Sequence, residues 1–345
     1  MKLYEITIKP SSGFGTPLKG DTLFGHFCWQ AAYDRELLNG GLERWIACYP
    51  DRPFAVFSSA WPKFLDEKGK STLAVKRPDL PLSMIFTESA GGRREAIRTR
   101  KEKAGKKWLL LDESLRVSLA GPFYNNEGLR RKALKEVTSD TRSVLRGREE
   151  VTFIKDQEKA HNTINRLTGT TGEGMFSPYT TLNTYFFPET ELAVLVLLDI
   201  EATGIEKVEE ALERIGVMGY GRDASTGCGR FTLGEVEERE LPVVEDADAC
   251  YALGPVVPPP GIFREVFFSP FIRFGRHGDR LATSGNPFRN PVVMADEGAV
   301  LIPSGEGVFQ RPFIGSAVLD TSKALPETVV QGYAPYLPMK MEIKP

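Results

Sequence analysis

At 345 residues the chain is long enough for two domains, since domains usually run about 100–200 residues. Its hydrophobic content of 41% and charged content of 26% suit a soluble globular protein, and no apolar run reaches the ~18 residues of a membrane span. A net charge of −2 argues against a freestanding nucleic-acid binder, and Cys28, Cys48, Cys228 and Cys250 form no C-x-x-C pair, so neither a zinc site nor a disulfide framework is indicated.

The N-terminus enters a strand pattern at once and is no signal peptide, so the expectation is a reduced, cytoplasmic protein. Leu3 to Lys9 alternate as a first strand, and Pro10 to Gly20 form a loop. Asp21 is expected to cap a helix from Thr22 to about Arg35 that is apolar nearly all round and therefore buried. Phe54-Ala-Val-Phe57 is a short strand. Residues 60–165 read as a long, polar, basic insertion with one strand pair, Trp108–Leu111 and Leu115–Leu119.

Charge concentrates in that insertion. From Arg93 to Lys155 there are seventeen Lys and Arg against nine Asp and Glu, leaving about −10 for the rest of the chain. Such asymmetry suggests a local electrostatic footprint on an otherwise neutral scaffold, or simply a solvated segment. Its Gly91-Gly92 entry and low apolar content predict an arm that cannot order itself alone.

Strand character returns at Tyr185-Phe-Phe187 and Leu192–Ile200. Ile205, Val208, Leu212 and Ile215 are spaced 3, 4 and 3, the apolar stripe of a helix ending near Gly216. A Gly-rich loop at 219–231 leads into a strand from Phe231. The order β-α-β…β-α-β is that of a ferredoxin-like (RRM-like) domain with a large insertion, giving an α+β fold over residues 1–240. Pro255 and Pro258-Pro-Pro260 form a strap, and residues 241–345 read as a second, smaller, β-rich domain of short strands.

The loop carries most of the chemistry. Gly219, Gly221, Gly227 and Gly229 let the backbone approach another chain closely, Tyr220 lies among them, and Arg222 and Arg230 flank Ser225 and Thr226. Backbone N–H groups in such a turn form an anion-binding concavity, and two guanidiniums add bidentate phosphate donors. Residues 219–224 match G-x-G-x-x-G/A formally, but the order helix–loop–strand is the reverse of a dinucleotide site. A phosphodiester contact and a plain Gly-rich turn before an edge strand both remain open.

Catalytic constellations are scarce. His26, His161 and His277 lie on three separate segments, and no metal spacing, nucleophile elbow or acidic triad appears. The sequence therefore predicts a non-enzyme without metal or cofactor.

Several segments resemble one family. Ser12-Gly-Phe-Gly-Thr-Pro-Leu-Lys-Gly-Asp-Thr-Leu-Phe-Gly-His-Phe-Cys-Trp29 is similar to the opening of the fourth subunit of type III-A CRISPR (Csm) interference complexes. That subunit is a RAMP-superfamily protein close to the Cas-five group. His161-Asn-Thr-Ile-Asn-Arg-Leu-Thr-Gly-Thr-Thr171, the loop at 219–231 and Val330-Gln-Gly-Tyr-Ala-Pro-Tyr-Leu-Pro338 resemble its later segments, in order. The resemblance implies two ferredoxin-like domains and a non-catalytic subunit holding the 5′ repeat-derived handle of crRNA. It also implies two protein partners, the large cyclase-like subunit and the backbone RAMP subunit. Arg166, Arg222 and Arg230 would take phosphates, with Asn162, Asn165, Thr168 and Ser225 on base edges or 2′-hydroxyls, and Phe14 and Tyr220 either as stacking faces or as core residues. Lys19 and His161 join them as candidate RNA-binding residues. Two rival readings stay open, a RAMP endoribonuclease using His26 or His161 and a purely architectural subunit.

Overall fold

The computed structural model describes residues 1–65, 69–86, 93–148 and 151–341, so the Gly91-Gly92 entry lies outside the described residues. Alternating apolar residues make β1 (Lys2–Pro10), which leads through a Gly-punctuated turn to α1 (Gly20–Tyr33), α2 (Leu42–Cys48) and β2 (Ala55–Leu65). The basic segment then runs through β3 (Ser71–Lys76), α3 (Leu82–Ile85), α4 (Arg93–Gly105), β4 (Trp108–Leu111), β5 (Phe123–Tyr124), α5 (Asn126–Glu136) and α6 (Ser139–Leu145). A two-stranded ribbon, β6 (Ile154–His161) with β7 (Tyr179–Phe186), precedes β8 (Glu191–Leu198), α7 (Ile205–Met218) and β9 (Phe231–Arg239).

Seven of these strands form one sheet in the order β5-β4-β3-β2-β8-β1-β9. The strands β2, β8, β1 and the edge strand β9 are all antiparallel to one another and, with α1 and α7, follow the chain as β-α-β-β-α-β. Helices α1 and α7 pack on this sheet through Leu23, Phe24 and Phe27 and through Val208, Ala211, Leu212 and Ile215, all buried. Helix α1 begins at Gly20 without a side-chain cap; Asp21 instead gives both carboxylate oxygens to Arg273, at 2.5 and 2.8 Å. Its expected capping role is corrected accordingly.

The other face of the sheet is closed too. Glu5 is buried there against Lys63 at 3.0 Å and Arg239 at 3.6 Å. Arg239 also donates to the Glu113 carbonyl at 2.9 Å, tying in a segment whose Leu115 and Leu119 are buried.

The basic segment departs from expectation in its described part. Trp108–Leu111 pairs with β3 and β5, not with 115–119, where Leu115 takes a left-handed φ of 53°. Asn125 caps α5 by accepting from the Gly128 N–H, and Leu129, Ala133 and Val137 pack with Phe64, Ala74 and Phe153. This part of the segment thus packs into a small cluster that it shares with β2 and with Phe187.

The remaining strands are β10 (Ala249–Ala252), β11 (Phe263–Phe267), β12 (Pro270–Arg273), β13 (Val292–Ala295), β14 (Val300–Pro303), β15 (Phe313–Gly315) and β16 (Tyr333–Met339). Five form an antiparallel sheet, β11-β14-β10-β16-β15, while β12 and β13 pair as a separate ribbon. Only 3-10 turns, at 279–283 and 306–310, interrupt the extended chain among the described residues from 249 on. The two sheets share one apolar core through Tyr251, Leu253, Tyr333 and Leu337. Gln331 joins them by polar contact: its side chain accepts from the Phe57 N–H at 2.9 Å and donates to the Phe57 carbonyl at 2.8 Å. These bonds satisfy the backbone where the register of β2 against β8 shifts between Phe57 and Ala60.

Candidate functional site

The loop from Gly219 to Arg230 starts at the end of α7 and is built against three other pieces of chain. The Gly229 N–H donates to the Gly13 carbonyl at 2.8 Å, and the Arg230 N–H donates to Ser12 Oγ at 2.8 Å. The Arg222 N–H donates to Thr16 Oγ1 at 3.0 Å, and the Gly221 N–H donates to Nε2 of His26 on α1 at 3.1 Å. Tyr220 is fully buried and donates its hydroxyl proton to the Pro17 carbonyl at 2.9 Å. Burial pushes that phenol up.

Two glycines are required by space as well as by conformation. Gly229 has φ 71°, and a Cβ there would fall 2.1 Å from the Tyr220 carbonyl oxygen. Gly221 has φ 72°, and its Cβ would fall 2.5 Å from Thr16 Cβ. Both positions exclude a side chain.

Most N–H groups of the loop are therefore spent on bracing it. Those of Asp223, Ala224 and Ser225 have no partner among the described residues, and Asp223 has a left-handed φ of 61°. The expected anion concavity shrinks to these three donors, which lie between Arg222 and Arg230 in sequence. Arg222, Ser225, Thr226 and Arg230 are exposed. Among the described residues the Arg230 guanidinium has no partner, whereas Arg222 donates to the Leu182 carbonyl of β7 at 2.6 Å and lies 3.4 Å from Asp223 Oδ2.

The ribbon β6–β7 stands beside this loop. Phe14 and Thr184 exchange backbone bonds at 2.9 Å, and buried Asn183 donates to Cys228 Sγ at 3.3 Å, its Oδ1 left without a partner. Along the ribbon from Leu182 to Tyr179 is three residues, about 10 Å of extended chain. There His161 stacks on Tyr179, ring centroids 5.1 Å apart and planes 8° apart, and shares a 2.9 Å hydrogen bond with the Thr181 hydroxyl. Asn162, Arg166 and Thr168 are exposed in the 162–178 connection beyond, where the half-buried Asn165 accepts from the Leu167 N–H.

The sequence-based set is thus split. The Gly loop and the base of the ribbon come together, and residues 162–168 sit at the ribbon's far end. Lys19 belongs to neither: its ammonium lies between the carboxylates of Asp296 and Glu297, over the Phe271 ring at 4.7 Å. Phe14 and Tyr220 are buried, so neither ring offers a stacking face. Ser12, Thr16, His26 and Asn183, which shape the loop, are residues whose part in it no local pattern signals; only the short hydroxyl side chains of Ser12 and Thr16 among glycines hinted at backbone capping.

The three histidines are all engaged. Burial lowers His26 to about 4, in keeping with its Nε2 accepting from a backbone N–H. His277 is buried with Nε2 2.6 Å from Ser322 Oγ, and burial lowers it too. Among the described residues no His, Cys, Asp and Glu cluster could hold a metal, and no helix is long and apolar enough to cross a membrane.

No protein-family model and no curated protein matches the chain. Solved structures do. A Csm4 chain of a Csm1–Csm4 cassette in complex with pppApA is 16% identical, with 99% of this chain and 98% of that chain covered and a TM-score of 0.53. The cassette in complex with cA4 gives 15% identity, the same coverage and a TM-score of 0.54. A Csm3–Csm4 subcomplex of the type III-A CRISPR-Cas interference complex gives 12% identity, coverage of 99% and 100%, and a TM-score of 0.53. This chain shares the fold of those Csm4 chains over nearly its whole length.

Proposed function

We propose that this chain is a crRNA-binding subunit of a type III-A CRISPR effector complex. It holds the 5′ repeat-derived handle and bridges the large cyclase-like subunit to the backbone RAMP subunits. The observation that carries the reading is the braced loop, which turns Arg222, Ser225, Thr226 and Arg230 outward beside a ribbon ending in His161, Asn162 and Arg166. Phosphates fit the guanidiniums and the three open N–H groups, while base edges and 2′-hydroxyls fit the polar tip. The solved Csm4 chains, which share its fold, were found with Csm1 and with Csm3, and this supports the protein partners.

The first half is read as ferredoxin-like because four of its strands lie in the order β2-β8-β1-β9 with both helices on one face. The second is read as a β-rich relative of that fold, with its boundary near residue 240. The subunit is read as cytoplasmic and non-catalytic. Two observations support the non-catalytic reading: His26 accepts from a backbone N–H and is held neutral, and His161 is hydrogen-bonded to Thr181 and stacked on Tyr179.

Co-expression with the large and backbone subunits and a repeat-bearing RNA tests the proposal. The RNA is expected to co-purify and to stay uncut in the presence or absence of divalent metal. An RNA-free complex contradicts the binding role. Cleavage abolished by His26→Ala or His161→Ala establishes the endoribonuclease reading instead.

A further inference from the structure

The ribbon β6–β7 has two chemically different faces, set by its register and the two-residue period of a strand. Asp156 and Glu158 share a face with Thr184 and Leu182, and the Thr184 hydroxyl donates to Asp156 Oδ1 at 2.7 Å. Lys155, Gln157, Lys159 and His161 take the opposite face, with Asn183 and Tyr179. Both carboxylates of the ribbon thus point one way and both ammonium groups the other. The lysine face is the one turned to the Gly loop. On it Asn183 donates to Cys228 Sγ, and Tyr185 lies over Gly13, where a Cβ would fall 2.5 Å from the ring. Bonds from Phe14 and Arg222 reach the edge of β7 at Thr184 and Leu182, which leaves β6 as the outer strand. Thr181 and Asn183 of β7 are buried on this face, while Lys155, Gln157 and Lys159 of β6 are exposed beside them. Neither lysine has a hydrogen-bond or ion-pair partner among the described residues.

We infer that this face of β6 carries single-stranded RNA from the Gly loop to the ribbon tip, with phosphates on Lys155 and Lys159 and a base on the Tyr179 ring. The two lysines lie roughly 13 Å apart along the extended chain, on one side of one strand. Gln157 stands between them and offers both an amide donor and a carbonyl acceptor to a base edge or a 2′-hydroxyl. At the end of the row His161 and Tyr179 are stacked with planes 8° apart, and Tyr179 is 52% exposed, which leaves ring surface for a base. Cations that track a backbone and an aromatic face that takes a base are the two parts of a single-strand site. An acidic protein segment would account for the lysines alone. The track rests on the reading of the chain as a crRNA-binding subunit and adds to it a face, a direction and three contact residues.

The purified full chain, alone and with the large and backbone subunits, is titrated with handle RNA across a range of salt, and circular dichroism checks that each variant is folded. Lys155→Gln with Lys159→Gln is expected to lower the salt slope by roughly 1.4, two single-strand phosphate contacts at about 0.7 each, and to weaken binding roughly tenfold. Lys159→Gln and Ala160→Glu remove the same unit of charge from opposite faces of the ribbon. The first should lower the slope by roughly 0.7 and the second should leave it unchanged. Tyr179→Ala should weaken binding with no change of slope, and Tyr179→Phe should restore it. Wild-type binding that the double lysine variant does not change overturns the track while leaving the subunit reading standing. Equal shifts in Lys159→Gln and Ala160→Glu show that overall charge alone acts, and overturn it too. Weaker binding of the double variant to the large or backbone subunit, at unchanged RNA affinity, makes the face a protein-docking surface and overturns the inference. A wild type that binds no RNA in either form overturns both readings.

Discussion

The N–H of Gly221 donates to Nε2 of His26 at 3.1 Å, so the loop is held by a neutral imidazole on α1. Burial has lowered that imidazole from its ordinary 6.5 to about 4. The unfolded chain takes up this proton at higher pH than the folded one. The stabilisation is therefore complete above about pH 6.5 and is lost as pH falls towards 4. Since the ring is only half-buried, the loss is about 1–3 kcal/mol. His26→Gln keeps an acceptor but cannot titrate. Urea midpoints from pH 7 to 4.5 should fall less for the variant than for the wild type, and parallel curves would remove His26 from the account.

Arg222 and Arg230 make separable contributions. Among the described residues the Arg230 guanidinium has no partner, whereas Arg222 also ties the loop to Leu182. Arg230→Ala is expected to lower the salt slope of handle binding by roughly 0.7, the loss of one single-strand phosphate contact. Arg222→Ala should lower it similarly and also loosen the ribbon, seen as faster amide exchange at Thr184. Unchanged affinity and slope in both variants would reduce the loop to a turn.

Replacing Gly229 by Val forces a β-branched residue into φ 71° and a 2.1 Å clash with the Tyr220 carbonyl. The expected result is weaker RNA binding with the sheet still folded. Gly227 also has positive φ, 92°, but nothing lies within 4 Å of its Cβ position. Gly227→Asn, tolerant of the left-handed region, should therefore bind nearly as wild type. Equal losses in both would mean that backbone conformation, not space, governs the loop.

Much of the first half was legible because its signals are local. The alternation of β1 and the 3-4-3 spacing of Ile205, Val208, Leu212 and Ile215 each report one buried face. Strand β6, Ile-Lys-Asp-Gln-Glu-Lys-Ala-His161, was invisible since both its faces meet solvent and no apolar period is needed. Strand β16 contains Pro335 and Pro338, which argue against an inner strand. It tolerates Pro338 because β15 ends its pairing with Phe313 at Pro335. The Gly loop was legible from composition, but Ser12, Thr16 and His26 lie about 200 residues from it in sequence. Lys19 was misplaced for the same reason, its carboxylate partners being 277 and 278 residues away.

The junction between the halves should be sensitive to charge. Asp21 and Arg273 form a bidentate pair with side chains 2% and 14% exposed. Asp21→Ala leaves a buried guanidinium unpaired and should cost about 3–5 kcal/mol in urea unfolding. Asp21→Leu combined with Arg273→Met should cost much less, since both charges are removed. A single-variant loss under about 1 kcal/mol would show that water reaches the pair.

The central claim, that the braced loop and the ribbon tip hold the crRNA handle, is tested most directly by ultraviolet crosslinking in the assembled complex. Adducts from a handle-labelled RNA would be mapped by mass spectrometry of the digested subunit. The account predicts adducts within residues 161–168 and 222–230, and none on the acidic strand β9 beyond Glu235. Strong adducts elsewhere on the chain, with both segments unlabelled, would contradict it.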